Sequence, residues 1–104
     1  MHHQSDSAVR FLVSVFIILL ISGCAAITAP VQEMSNARQT IQAARDAGAE
    51  IRAADSLKQA EQLLQQASQQ LDDGDYISAR SLALKAKQQA MQARQSALQK
   101  KQNE

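Results

Sequence analysis

An alanine ladder near the C-terminus restricts this chain more than any other feature. Tyr76, Ala79, Ala83, Ala86, Ala90, Ala93 and Ala97 follow one another at steps of three and four. That spacing puts all seven on one side of a helix. A single helix over 76–102 would be ~40 Å long at 1.5 Å per residue. Alanine lets a neighbouring backbone approach more closely than leucine would, yet it buries less area, at ~25 cal/mol per Å². Such a face needs a partner with larger side chains. The segment just before it supplies one, because Leu57, Ala60, Leu64, Ala67 and Leu71 repeat the three–four pattern with Leu63 beside them. Asp72-Asp73-Gly74-Asp75 separates the two runs, with Gly74 suited to a left-handed C-cap and Asp75 to an N-cap. The expected core is an antiparallel αα-hairpin, about 56–72 and 76–102, closed on an alanine-rich seam.

A shorter first helix precedes it. Met34, Ala37, Ile41, Ala44 and Gly48 alternate steps of three and four, and Pro30 suits a first-turn position where its missing N–H costs nothing. The register slips after Gly48 and Ile51, and Asp55 is the expected N-cap of the next helix. Alanine and glutamine dominate and both favour helix, so the fold class is all-α with a helical domain over 31–104. From Ile27 onward there are 15 large apolar side chains. A core that small rarely supplies more than ~3–5 kcal/mol unaided, which makes a self-associated coiled coil, a homo-oligomer, the competing architecture.

The N-terminal segment is of another kind. Phe11 to Ile21 is an unbroken run of eleven mostly apolar residues, preceded by Arg10 and followed by Ser22, Gly23 and Cys24, the one cysteine of the chain. A positive residue, an apolar stretch and small residues before a cut is the layout of an export signal. Ile21-Ser22-Gly23-Cys24 resembles the lipobox of bacterial lipoproteins. The resemblance implies a signal peptide over 1–23, recognised through Ile21, Ser22 and Gly23. It also implies a diacylglycerol on the Cys24 thiol and a lipidated tether over 24–30. The membrane partner would then be lipid through acylated Cys24. An uncut transmembrane anchor is the competing outcome, since a span needs ~20 apolar residues. Ala25 and Ala26 follow the cysteine where an inner-membrane sorting aspartate would stand, so the expected address is the outer membrane, facing the periplasm.

Removal of the signal would take His2 and His3 with it, and lipid would block Cys24. A serine such as Ser35, Ser68 or Ser96 then has no ordinary base, and no Gly-x-Ser-x-Gly turn occurs. The expectation is therefore a non-enzymatic chain. Asp72, Asp73 and Asp75 lack the spacing of a calcium loop, so neither metal nor cofactor is expected. A net charge of +1 and a single aromatic beyond the signal disfavour nucleic acid.

Charge is unevenly spread. Residues 31–75 hold eight acidic and four basic side chains, whereas 76–104 hold six basic ones and only Glu104 opposing. Arg80, Lys87, Arg94 and Lys101 recur every seven residues and form one stripe, beside an apolar column of Ile77, Leu84, Met91 and Leu98. One reading is that the basic stems cover apolar surface and pair with an acidic neighbouring helix. The other is a ladder for an anionic partner, such as peptidoglycan carboxylates, lipid phosphates or an acidic envelope protein.

Gly74-Asp75-Tyr76-Ile77-Ser78-Ala79 looks like the turn of a tetratricopeptide repeat. Met91 stands where that repeat closes with proline, and one hairpin is too few to stack. A broader resemblance runs through Ala29-Pro30, Ala37-Arg38, Ile41, Ala44, Gly48-Ala49, Leu57, Ala60, Leu64, Ala67, Gly74-Asp75-Tyr76 and the ladder. It is similar to the alanine-rich helical domain of unknown function of small Gram-negative envelope lipoproteins, some of which add a peptidoglycan-binding domain. Members often carry proline where this chain has Ala54. The resemblance implies no catalytic residues. It leaves two roles open: a structural or docking module, or a wall tether binding non-covalently through the basic helix. Covalent tethering through a terminal lysine, as in the major murein lipoprotein, is disfavoured because Gln102-Asn103-Glu104 follow Lys101.

Overall fold

Helices account for nearly all of the described backbone. The computed structural model describes residues 2–25 and 29–104, with side-chain surroundings described for 6–18 and 29–104. Among the described residues the chain is all-α: α1 is His2–Ala25, α2 Val31–Asp46, α3 Ala49–Arg52, α4 Ala54–Asp72 and α5 Tyr76–Gln102. α2, α4 and α5 form an up-down-up bundle in which α5 packs along both of the others. Pairings such as Glu33 with Arg80 make α2 and α5 parallel. Arg45 with Glu61 makes α2 and α4 antiparallel.

The seam of α5 is buried as the spacing predicts. Ala79, Ala83, Ala86, Ala90, Ala93 and Ala97 have no accessible surface. They meet two apolar clusters, one around Ile41, Ala44, Ala53, Leu57 and Ala60, the other around Met34 and Ala67. Leu64, Leu71 and Leu82 pack against these clusters from the edge. Tyr76, at the head of the ladder, departs from it and is half-exposed, because it opens α5.

The α4–α5 turn is chemically complete. Gly74 takes φ +81°. Its N–H donates to Leu71 O at 3.0 Å, and Asp75 N–H donates to Gln70 O at 2.9 Å. This pair of bonds defines a Schellman end. Asp75 then caps α5, accepting from Ser78 N at 3.1 Å and from Ser78 Oγ at 2.7 Å. These bonds hold the Asp75 carboxyl below its ordinary acidity range, the Ser78 hydroxyl contributing most.

The junction of α2 and α4 departs from expectation. Pro30 is the residue before α2 rather than within its first turn, with ψ +49° outside the helical range. Its carbonyl still accepts from Met34 N at 3.1 Å. Gly48 does not continue the seam: it closes α2 at φ +89° and its N–H donates to Arg45 O at 2.9 Å. Asp55 is not the N-cap of α4. Ala53 occupies that place at φ −148°, held by its burial in the core, and Asp55 lies in the first turn. There its charge still faces the positive end of the helix. α4 thus begins at Ala54, two residues earlier than the spacing suggests. Ile51 is 89% exposed, because the short α3 turns it outward while Ala49 and Ala53 fill the core.

α1 packs against none of the other helices among the described residues. Its side chains from Val9 to Ile18 are exposed, and Ser14 Oγ donates to Arg10 O at 2.9 Å within the helix. Among the described residues no helix is long and apolar enough to cross a membrane. Cys24 falls in α1, but its side chain, with those of Ile21, Ser22 and Gly23, lies outside the described ones. Residues 26–28 of the expected 24–30 tether also lie outside the described ones.

Candidate functional site

Heptad geometry decides where the cations of α5 point. With the alanine seam as positions a and d, Arg80, Lys87, Arg94 and Lys101 all fall at e, beside the seam. Met34, Ala37, Ile41 and Ala44 are the a and d residues of α2, which puts Glu33, Thr40 and Ala47 at its g positions. In parallel helices g faces e of the neighbour. The first rung is filled: Arg80 Nε and Glu33 Oε1 lie 3.1 Å apart, partly buried. Seven residues on, Lys87 meets the Thr40 level, and Thr40 Oγ1 is turned to Asn36 O at 2.8 Å. At the next rung Arg94 meets Ala47. Among the described residues no carboxylate lies within 4.0 Å of Lys87, Arg94 or Lys101. The stripe therefore divides into one internal ion pair and three outward cations.

Beside it runs the apolar column, at position b. Ile77 is 82% exposed, Leu84 47% and Met91 43%, while Leu98 is half-buried where α2 ends. There a shallow groove of about 350 Å³ is lined by Ala43, Asp46, Ala47, Arg94 and Leu98. Asp46 accepts a hydrogen bond from Gln42 Nε2 at 3.0 Å. Cations, apolar column and groove form one continuous face along α2 and α5.

Polar pairs bridge the other two sides of the bundle. Between α2 and α4 a groove of about 480 Å³ is lined by Arg38, Ile41, Gln42, Arg45, Glu61, Leu64, Gln65 and Ser68. Arg45 Nη2 reaches Glu61 Oε1 across it at 2.6 Å. Between α4 and α5, Gln89 donates to Gln59. At the far end Arg52 forms two bonds to Glu104, Nε–Oε1 at 3.0 Å and Nη2–Oε2 at 2.7 Å, and Lys100 Nζ donates to Arg52 O at 2.6 Å. The two Arg52 bonds hold the Glu104 carboxyl below its ordinary range, and Lys101 adds a weaker attraction. Sequence reasoning missed Arg45 and Arg52. Arg45 and Glu61 carried a readable signal, since both sit at e beside their own seams and e meets e in antiparallel helices. For Arg52 and Glu104 nothing local gave notice, because 52 residues separate them.

Residues 32–104, nearly the whole bundle, match the family described as a domain of unknown function, DUF4398. The chain belongs to the DUF4398 family. No curated protein and no solved structure matches it. The DUF4398 region covers the α2–α5 face and the seam beneath it, and leaves α1 and Cys24 outside its bounds. Among the described residues no three histidine, cysteine or acidic side chains of this DUF4398 protein converge as metal ligands.

Proposed function

We propose that this chain is a non-enzymatic lipoprotein whose acylated Cys24 holds a helical docking module at the periplasmic face of the outer membrane. The observation that carries the reading is Ile21-Ser22-Gly23-Cys24 at the end of the apolar run Phe11–Ile21. Support comes from α1, whose side chains are apolar all round from Phe11 to Ile18 apart from Ser14. That single hydroxyl is satisfied by the Arg10 carbonyl, as a polar group entering lipid must be. One acyl chain gives marginal membrane binding and two or more give stable anchoring. Val31 is seven residue steps from Cys24, so the bundle would begin within ~24 Å of the bilayer surface at ~3.4 Å per residue. Cys24→Ser should leave a full-length precursor without incorporated fatty acid. Intact mass and membrane extraction unchanged from wild type would refute the anchor.

A second reading is non-covalent wall tethering by the basic face of α5, favoured by Lys87 and Arg94, which no carboxylate among the described residues engages. Purified sacculi sedimented with the protein test it. Binding abolished by Lys87→Gln together with Arg94→Gln supports the tether, and recovery of all the protein in the supernatant removes it.

A further inference from the structure

We infer that the α2–α5 face is the seat of a single acidic amphipathic helix from a partner protein, which completes the three-helix bundle as a fourth member. This deepens the docking half of the proposed function and does not depend on acylation of Cys24.

Three features of the face converge on that occupant. Ile77, Leu84 and Met91 form an exposed apolar column on α5, continued by Leu98 into the groove beside α2. The floor of that groove is Ala43 and Ala47, side chains small enough for a facing helix to insert its own between α2 and α5. Lys87, Arg94 and Lys101 stand at seven-residue intervals along the same face, past the rung that Glu33 fills for Arg80. An interface built on an apolar row flanked by one sign of charge selects a partner with its own apolar row and the opposite sign.

Rival occupants fit less well. A second copy laid α5 against α5 would set these cations against themselves. The remaining outer faces offer no acidic row: on α2 the sequence at seven-residue spacing reads Gln32, Gln39, Asp46, and on α4 Asp55, Gln62, Gln69. A lipid surface is flat, whereas a strict seven-residue row drifts ~20° per heptad around a straight helix, or ~60° from Ile77 to Leu98. A supercoiling partner helix follows such a row and a plane does not. Asp46 is the one carboxylate lining the groove, so the partner should present a neutral or basic residue at that end.

The test uses the full chain in zwitterionic detergent micelles. The probe is a fluorescently labelled synthetic helix of about four heptads, leucine on one face and glutamate on its flanks, followed by anisotropy. Saturable binding is expected, weakened at least tenfold when the probe carries glutamine for glutamate. Lys87→Glu with Arg94→Glu should weaken it by at least as much, and so should Leu84→Gln with Met91→Gln. Lys58→Gln, a cation on α4, should leave it unchanged. Thr40→Glu supplies the missing internal rung for Lys87 without touching α5, and should weaken binding in a protein whose circular dichroism is intact. The inference is overturned by absence of saturable binding, or by binding indifferent to both double variants. It is equally overturned if phosphatidylglycerol vesicles or sacculi occupy this face and the probe fails to displace them, or if the face is buried in a homodimer. Failure of the anchor alone would show as a soluble, unlipidated wild-type protein that still binds the probe.

Discussion

Gly48 and Gly74 offer a matched pair of substitutions in which the backbone cost is shared and only the surroundings differ. Both close a helix in the left-handed region, at φ +89° and +81°. Alanine at such an angle costs about 1–2 kcal/mol, offset by about 0.4–1 kcal/mol from the stiffer unfolded chain. A Cβ at Gly74 would meet nothing within 4 Å, so Gly74→Ala should cost about 1 kcal/mol net. For a domain of this size that lowers Tm by about 4–8 °C. A Cβ at Gly48 would lie 2.7 Å from Arg52 Nη1. Nη1 ends a flexible side chain, so the guanidinium must shift, and that shift strains its Nε and Nη2 bonds to Glu104. Gly48→Ala should therefore be the more damaging of the two, and the excess should come from Arg52 alone. Thermal unfolding followed by circular dichroism, on the full chain in micelles, measures both. In an Arg52→Ala background the excess should vanish, leaving the two glycine sites equivalent. Equal losses in the wild-type background, or an excess that survives Arg52→Ala, would refute the reasoning.

Asp75→Ala should lower Tm at neutral pH through loss of the Ser78 bonds. Because the folded carboxyl titrates below its ordinary 3.8, the cap acts fully above that value and is lost as pH falls through the depressed one. The gap between variant and wild type should close on acidification. Ala90→Leu places three extra carbons in a seam with no accessible surface and should cost about 1–3 kcal/mol by chemical denaturation. Thr40→Glu should add about 0.2–1 kcal/mol by pairing with Lys87, a gain that Lys87→Gln should abolish.

The hairpin was readable because its signals are local. Gly74 and Asp75 announce a Schellman end and a cap within four residues, and the seam from Ala79 to Ala97 needs only the helical period. The junction of α2 and α4 was not readable, since its determinant is tertiary. Ala53 leaves the helical range because the core holds its methyl, and no residue type marks that in advance. Asp55 is a good capping residue two positions too late to be used. The stripe was visible as a row, but its division into one pair and three outward cations follows from which residues of α2 stand opposite. That needs the parallel alignment of α2 with α5, which passes through α3, α4 and the turns that join them. Ile51 shows the same limit: its chemistry suggests the interior, and a four-residue helix between two fixed ends turns it outward.

The methyl seam has a further consequence, in torsional freedom. Alanine has no heavy-atom rotamer to freeze, so ordering Ala79, Ala83, Ala86, Ala90, Ala93 and Ala97 costs backbone entropy alone. The same lack leaves accommodation to the few longer side chains opposite, Met34, Ile41 and Leu57, since a methyl with no χ angle cannot step aside for an added carbon or swing in to fill a void. Helices in contact through such a surface move only as whole rods. The bundle should therefore hold its interior sharply until it comes apart, with little of the side-chain loosening that precedes melting in leucine-filled cores.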